Sequence, residues 1–198
     1  MVAPPTTAEA TVDQRDLVER ARKGDHDAFA ALAGAAIVRL DAAARLILRD
    51  RELARDAVQD AMMRAWRDLP GLRDPEKFDA WLHRLTVHAC IDAARHRRRR
   101  PIEVELTVLD APSVADASSQ IIDRELLDRG LRALEPEWRA VVVLHYYLGM
   151  PLPEVAGTLG IPLGTAKSRL HRSIGVLRST VGIGPATDSA LVTEGRLA

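Results

Sequence analysis

The chain holds a single cysteine, Cys90, among 198 residues. That excludes an intramolecular disulfide and any zinc site built from several thiolates. No stretch approaches the roughly 18 to 20 consecutive apolar residues of a membrane span, so membrane insertion is not expected. The start, Met1-Val-Ala-Pro-Pro-Thr-Thr, lacks the basic residues and following apolar run of a secretory signal. There is no Gly-rich phosphate loop and no nucleophile-base pairing, and the six histidines are dispersed. No internal repeat of 20–50-residue period stands out. These absences point away from an enzyme, a metal site or a bound cofactor, and towards a soluble cytoplasmic protein.

Net charge is also missing, at +0, but the zero conceals a pattern. Residues 15–100 carry 19 Lys/Arg against 14 Asp/Glu, residues 101–130 carry 2 against 7, and residues 131–178 carry 6 against 3. Two basic blocks flank an acidic connector. Basic segments of this kind suit nucleic acid, and the whole-chain average hides them. Apolar residues at 47% suffice for a packed core.

The punctuation predicts an all-α chain: two small helical domains joined by a flexible acidic linker, with a helix-turn-helix in the second. Residues 1–14, rich in Pro, Thr and Ala, are expected to be a disordered leader. The first domain spans 15–100. Gly24-Asp25 breaks one helix and caps the next, and Asp50 caps a third. In that third helix Leu53, Ala57, Ala61 and Ala65 face inward beside Val58, Met62 and Trp66. After Leu69-Pro70-Gly71, Asp74-Pro75-Glu76 supplies a cap, a first-turn proline and an acid. The helix it opens buries Phe78, Trp81, Leu82, Leu85 and Ala89, and Pro101 stops it after Arg97–Arg100. Residues 101–122 read as the linker, 123–181 as the second domain and 182–198 as a loose tail. Val141-Val142-Val143-Leu144 would suit a strand by propensity, but the start at Glu135-Pro136-Glu137 predicts a helix that Gly149 ends.

Pro153-Glu154 opens a short helix with Val155, Ala156 and Leu159 inward. Gly160 meets the left-handed requirement of a tight turn, and Ile161 plugs it. From Leu163 to Arg178, Ala166, Leu170, Ile174 and Leu177 fall within an arc of about 80°. Thr165, Ser168, Arg169 and Arg172 share the opposite face, flanked by Lys167 and His171. Hydroxyls and cations on one face of such a helix are suited to base edges and phosphates in a major groove. A solvated amphipathic hairpin has the same basic face.

Several segments together resemble the extracytoplasmic-function group of bacterial RNA polymerase sigma factors, over roughly residues 15–180. They include Gly24-Asp25-x-x-Ala28-Phe29, Ala54-Arg-Asp-Ala-Val-Gln-Asp-Ala61, Arg64-Ala-Trp66, Phe78-x-x-Trp81-Leu-x-Arg84 with Asp92, Leu131-x-x-Leu134-x-Pro136-x-x-Arg139, His145-Tyr-Tyr-Leu-Gly-Met, Leu159-Gly-Ile and Gly164-Thr-Ala-Lys-Ser-Arg-Leu-His-Arg172. The resemblance implies that Asp56, Gln59, Asp60, Met63 and Arg67 dock on the clamp helices of the core polymerase's largest subunit. It further implies that Arg73, Asp74, Lys77, Arg84, His88 and Arg95 read the minus-ten promoter element. Thr165, Lys167, Ser168, Arg169, His171 and Arg172 would read the minus-thirty-five element, while the second domain engages the polymerase flap.

The resemblance also implies that the linker threads a basic channel of the polymerase, which Glu103, Glu105, Asp110 and Asp116 would suit; a merely soluble linker would carry the same acids. An anti-sigma protein is the expected regulator. Without the resemblance, the 56–67 stripe reads as a solvated face with local ion pairs. Arg84, His88, Ile91 and Arg95 form a stripe away from the Phe78/Leu82 core, while Arg97–Arg100 read as a solvated or nonspecific phosphate anchor. The chain departs from the family pattern at His88, where asparagine is frequent. It departs again at Leu152-Pro153 and Pro162, which lack hydroxyl caps, and at Ala166, where a branched aliphatic is usual. The competing reading is a free-standing helix-turn-helix regulator, which would leave the 53–67 helix and the acidic connector without a purpose.

Overall fold

In the computed structural model, residues 7–99 and 118–182 are described, and among them every regular element is helical. The first bundle comprises α1 (Thr7–Arg22), α2 (His26–Leu48), α3 (Arg51–Asp68) and α4 (Phe78–Arg99); the second comprises α5 (Ser118–Arg132), α6 (Pro136–Val142), α7 (Leu152–Leu159) and α8 (Leu163–Val181). Three boundaries differ from expectation. Helix α1 begins at Thr7, inside the stretch read as a disordered leader, and α5 begins at Ser118, inside the stretch read as linker. Helix α8 continues past Arg178 to Val181, where Gly182 closes it at φ 75. The acidic residues Glu103, Glu105, Asp110 and Asp116, with Arg100, Pro101 and the 183–198 tail, lie outside the described residues.

The capping logic read from the sequence operates locally. Ala28 N–H donates to Asp25 Oδ1 at 3.0 Å, and Leu53 N–H donates to Asp50 Oδ1 at 2.9 Å, satisfying orphan donors at the starts of α2 and α3. Asp74 accepts from Glu76 N–H at 3.2 Å and opens a 3-10 turn, Pro75–Lys77, that feeds α4. On α3 the fully buried positions are Ala54, Ala57, Val58, Ala61 and Ala65, with Leu53 half-buried. An alanine face lets α3 lie close to α2 and α4, its two main packing partners. Trp66 closes the far end, with His26 stacked at 4.4 Å and Phe29 edge-on at 5.1 Å.

In the second bundle the valine-rich stretch is helical throughout, as its proline-led start predicted. Helix α6 runs on into a π turn, Val143–Tyr147, and Gly149 then adopts φ 70. Propensity for strand is overruled because Val141, Val143 and Leu144 are buried on helical faces against neighbouring helices. His145 Nδ1 donates to the Met150 carbonyl at 2.8 Å, fixing the approach to α7. The buried residues form one contiguous apolar cluster through both bundles. Helices α2 and α4 of the first bundle pack on α6 and α7 of the second.

Candidate nucleic-acid and polymerase interface

The helix-turn-helix is α7, a turn and α8. Gly160 caps α7 at φ 64 and ψ 33, and Ile161 N–H donates to the Ala156 carbonyl at 3.0 Å. The left-handed residue and this bond set the angle at which α8 leaves the turn. Neither helix has a side-chain cap: Pro151 and Pro162 stand at the N-cap positions. Ala166 and Leu170 are buried, and Ile174 and Leu177 are half-buried beside fully buried Ser173. The sequence stripe had not included Ser173.

On the outer face Lys167, Ser168, His171 and Arg172 are exposed, while Thr165 and Arg169 are half-buried. Ser168 Oγ donates to the Thr165 carbonyl at 3.0 Å, a bond it must give up or share to touch a base. Arg169 stands apart from the other five. It lines a cleft between the bundles with Ile91, Arg95 and Arg98 of α4 and with Glu135, Glu137, Trp138, Leu159 and Ile161.

The turn before α4 and α4 itself carry the second set. Arg73, Lys77, Arg84 and His88 are exposed; Asp74 is occupied as a cap and lies 3.5 Å from Lys77 Nζ. Arg95 is exposed but faces Glu137, with Nε–Oε1 at 3.5 Å. The stripe that continues through Ile91 is not free, since Ile91 is 8% exposed. Arg97 and Arg98 are exposed, as the solvated reading expects, and each also holds a carboxylate. Arg97 bonds to Asp50 at 2.5 Å, and Arg98 is ion-paired with Glu135 across the two bundles. Trp81 is half-buried, 6.1 Å from Phe78, and so belongs to the core edge.

The third set lies on α3, opposite its alanine face. Asp56, Gln59, Met63 and Arg67 are exposed, and Asp60 is half-exposed. Met63 is 58% exposed, an apolar centre within a polar stripe. Local ion pairs are present too: Arg64 holds Asp60 at 2.6 Å and approaches Asp92 at 3.9 Å, and Arg67 bonds to Asp68 at 2.8 Å. The solvated-face reading and the docking reading therefore describe the same residues. Arg64, which ties α3 to α4 through Asp92, was not singled out for this role.

Two buried ionisable groups escaped sequence reasoning. Arg139 is 7% exposed, and burial, then Arg49 and Arg98 nearby, lower its guanidinium to about 10 against the pull of Glu137. His83 is buried among α4's core residues; burial first, then Arg39, lowers its pKa, while Asp79 opposes. Arg139 closes the motif that begins at Leu131, yet no local pattern marks its burial or that of His83, because both environments are made by other helices. Cys90 is fully buried and its thiol is pushed up to about 12, which leaves it an unreactive core residue.

Comparison with known proteins meets this geometry at two places. Residues 37–100 match the Sigma-70 region 2 family and residues 124–174 match Sigma-70, region 4. The ECF RNA polymerase sigma factor SigM of Mycobacterium tuberculosis is 35% identical over 159 residues, 80% of each chain. This chain belongs to the extracytoplasmic-function sigma factors of the sigma-70 family. The RNA polymerase sigma-E factor of Streptomyces avermitilis is 36% identical over 135 residues, covering 68% of this chain and 74% of that one. Among solved structures, CnrH in complex with the cytosolic domain of CnrY superposes with a TM-score of 0.64 at 26% identity, over 87% of this chain and 99% of that one. The sigma factor directs RNA polymerase to promoters, and the region 2 match falls on α2, α3 and α4 whereas the region 4 match takes in the helix-turn-helix. No helix among the described residues is long and apolar enough to cross a membrane.

Proposed function

We propose that the sigma factor works through three separate surfaces, on α3, on α4 with the turn before it, and on α8, with no chemistry of its own. Asp56, Gln59, Asp60, Met63 and Arg67 on α3 dock on the clamp helices of the polymerase's largest subunit. Met63 supplies apolar contact inside a ring of polar groups, the usual composition of a small hot spot. Arg73, Asp74, Lys77, Arg84, His88 and Arg95 engage the minus-ten element, with the cations tracking single-stranded phosphates. Thr165, Lys167, Ser168, Arg169, His171 and Arg172 enter the major groove of the minus-thirty-five element. Tyr146 and Tyr147, 62% and 45% exposed at the end of the π turn, suit the flap. In this reading residues 15–100 carry the first two surfaces and residues 123–181 the third.

The observation that carries this reading is the outward face of α8. Lys167, Ser168, His171 and Arg172 are presented to solvent by a helix whose other side is anchored through Ala166 and Leu170. Regulation by an anti-sigma protein fits the likeness to the sigma factor RpoE of Bartonella quintana in complex with the anti-sigma factor NepR, which at 22% identity supports the fold. A free-standing regulator is not favoured, since it gives the region 2 bundle no task.

A run-off assay with purified core polymerase tests the proposal. Promoter-dependent transcripts are expected from the wild type. Changing Gln59 and Asp60 together is expected to abolish polymerase binding while isolated promoter contacts persist. Absence of any promoter-dependent transcript over a library of templates would sink the reading.

A further inference from the structure

Helix α2 has an outer face that none of the three proposed surfaces uses. Its buried residues, Leu32, Leu40, Ala43 and Ile47 among them, point toward α1, α3, α4 and α6. On the opposite side no charged residue stands between Asp27 and Arg39, although the helix meets solvent there. Val38 is 77% exposed, the most of any large apolar side chain among the described residues, and its neighbour Ile37 is 43% exposed. Three uncharged turns around two such side chains make a face that a partner would cover.

The charges at the two ends of the face say which partner fits. At about 100° per residue, Asp27, Val38 and Arg45 fall within about 20° of one line, and Ala31 and Gly34 lie within about 40° of it. All five are exposed. The line is acidic at its N-terminal end, apolar along its middle and basic at its C-terminal end, so turned end for end it complements itself. We infer that the partner is a second copy of this chain, packed antiparallel along α2 about a two-fold axis near Ala36. Asp27 of each copy then meets Arg45 of the other, and Val38 of each meets Gly34 of the other. A Cβ built at Gly34 touches nothing within 4 Å, so the glycine leaves open space for the opposing valine methyls. Ala31 is equally small, and the two backbones can approach closely. Arg45 already holds Asp41 at 2.7 Å, and its remaining donors are free to take a second carboxylate. From Asp27 to Arg45 the face is about 27 Å long, which places the pair among small, readily separated interfaces. The pairing is independent of how α3, α4 and α8 are assigned.

Sedimentation equilibrium of the full chain over a wide concentration range tests the pairing. The wild type is expected to show a reversible equilibrium between monomer and dimer. Val38→Glu changes an exposed position and leaves the core untouched. It is expected to raise the dissociation constant about tenfold or more, with the unfolding transition unchanged. Asp27→Arg and Arg45→Glu are each expected to weaken self-association, because like charges then meet at both ends of the pair. Mixed in equal amounts, these two variants are expected to associate again, since the mixed pair has opposite charges at both ends. A misfolded variant would not recover in this way. A wild type that stays monomeric at every concentration overturns the pairing, as does a Val38→Glu dimer of unchanged strength. A mixture that fails to recover overturns it as well. A monomeric wild type whose Val38→Glu variant no longer binds core polymerase would overturn it and give the face to the polymerase instead.

Discussion

Asp50 serves two helices at once: its Oδ1 accepts from Leu53 N–H at 2.9 Å to cap α3, and its Oδ2 takes Arg97 of α4 at 2.5 Å. The basic end of α4 is thereby anchored to the start of α3. Asp50→Ala is expected to lower unfolding stability by about 1–2 kcal/mol through the lost cap. Arg97→Ala should cost under about 1 kcal/mol, because that guanidinium is half in water. Denaturant titration with two-state fitting checks both. Equal losses for the two variants would show that the ion pair, and not the cap, dominates.

Arg172 projects from α8 into solvent, and Arg169 is held at the cleft between the bundles. Within the polymerase complex each is expected to contact a base edge, so that alanine at either weakens promoter recognition by about 1–3 kcal/mol and relaxes preference at one position. Binding to a set of single-base promoter variants measures this. A uniform loss over all variants would mark phosphate contact instead.

His83 links stability to pH. Its folded pKa lies below the usual 6.5, so in the interval beneath 6.5 the unfolded chain binds a proton that the folded chain refuses. The neutral ring is tolerated above that interval, and stability is lost as pH falls through it. His83→Gln is expected to flatten this part of the profile between about pH 7 and about pH 5. Parallel slopes for wild type and variant would remove His83 from the account.

Arg139 is a buried cation with an unpartnered Nε and two like charges near it. Replacing such a group by an apolar side chain of similar length removes a desolvation cost without removing a strong pair. Arg139→Met is expected to raise stability by about 1 kcal/mol or more, read from thermal unfolding. A fall of similar size would reveal a compensating partner for the guanidinium.

The local code was legible for local reasons. Asp25, Asp50 and Asp74 announce helix starts because a capping carboxylate acts within three residues of itself. Gly160 announces the turn because only a residue without Cβ takes φ 64 freely. The alternation of Ala166 and Leu170 with Lys167, Ser168 and Arg172 is a helix-period pattern, so the outer face of α8 could be named in advance. Even the family could be read, since its motifs are contiguous strings. The starts at Thr7 and Ser118 read as leader and linker because the Pro-, Thr- and Ser-rich composition around them outweighs the helix signals.

By itself, then, the sequence determined an all-helical sigma factor, its caps and the polar outer faces of its helices, since each depends on residues a few positions apart. Tertiary structure alone decided which of those faces are available. Arg95 meets Glu137, Arg98 meets Glu135 and Ile91 is covered only because α4 lies against the second bundle. Pairings across that many residues have no period to read. They depend on the packing of two bundles, whose balance of apolar burial against crowded arginines is settled in three dimensions.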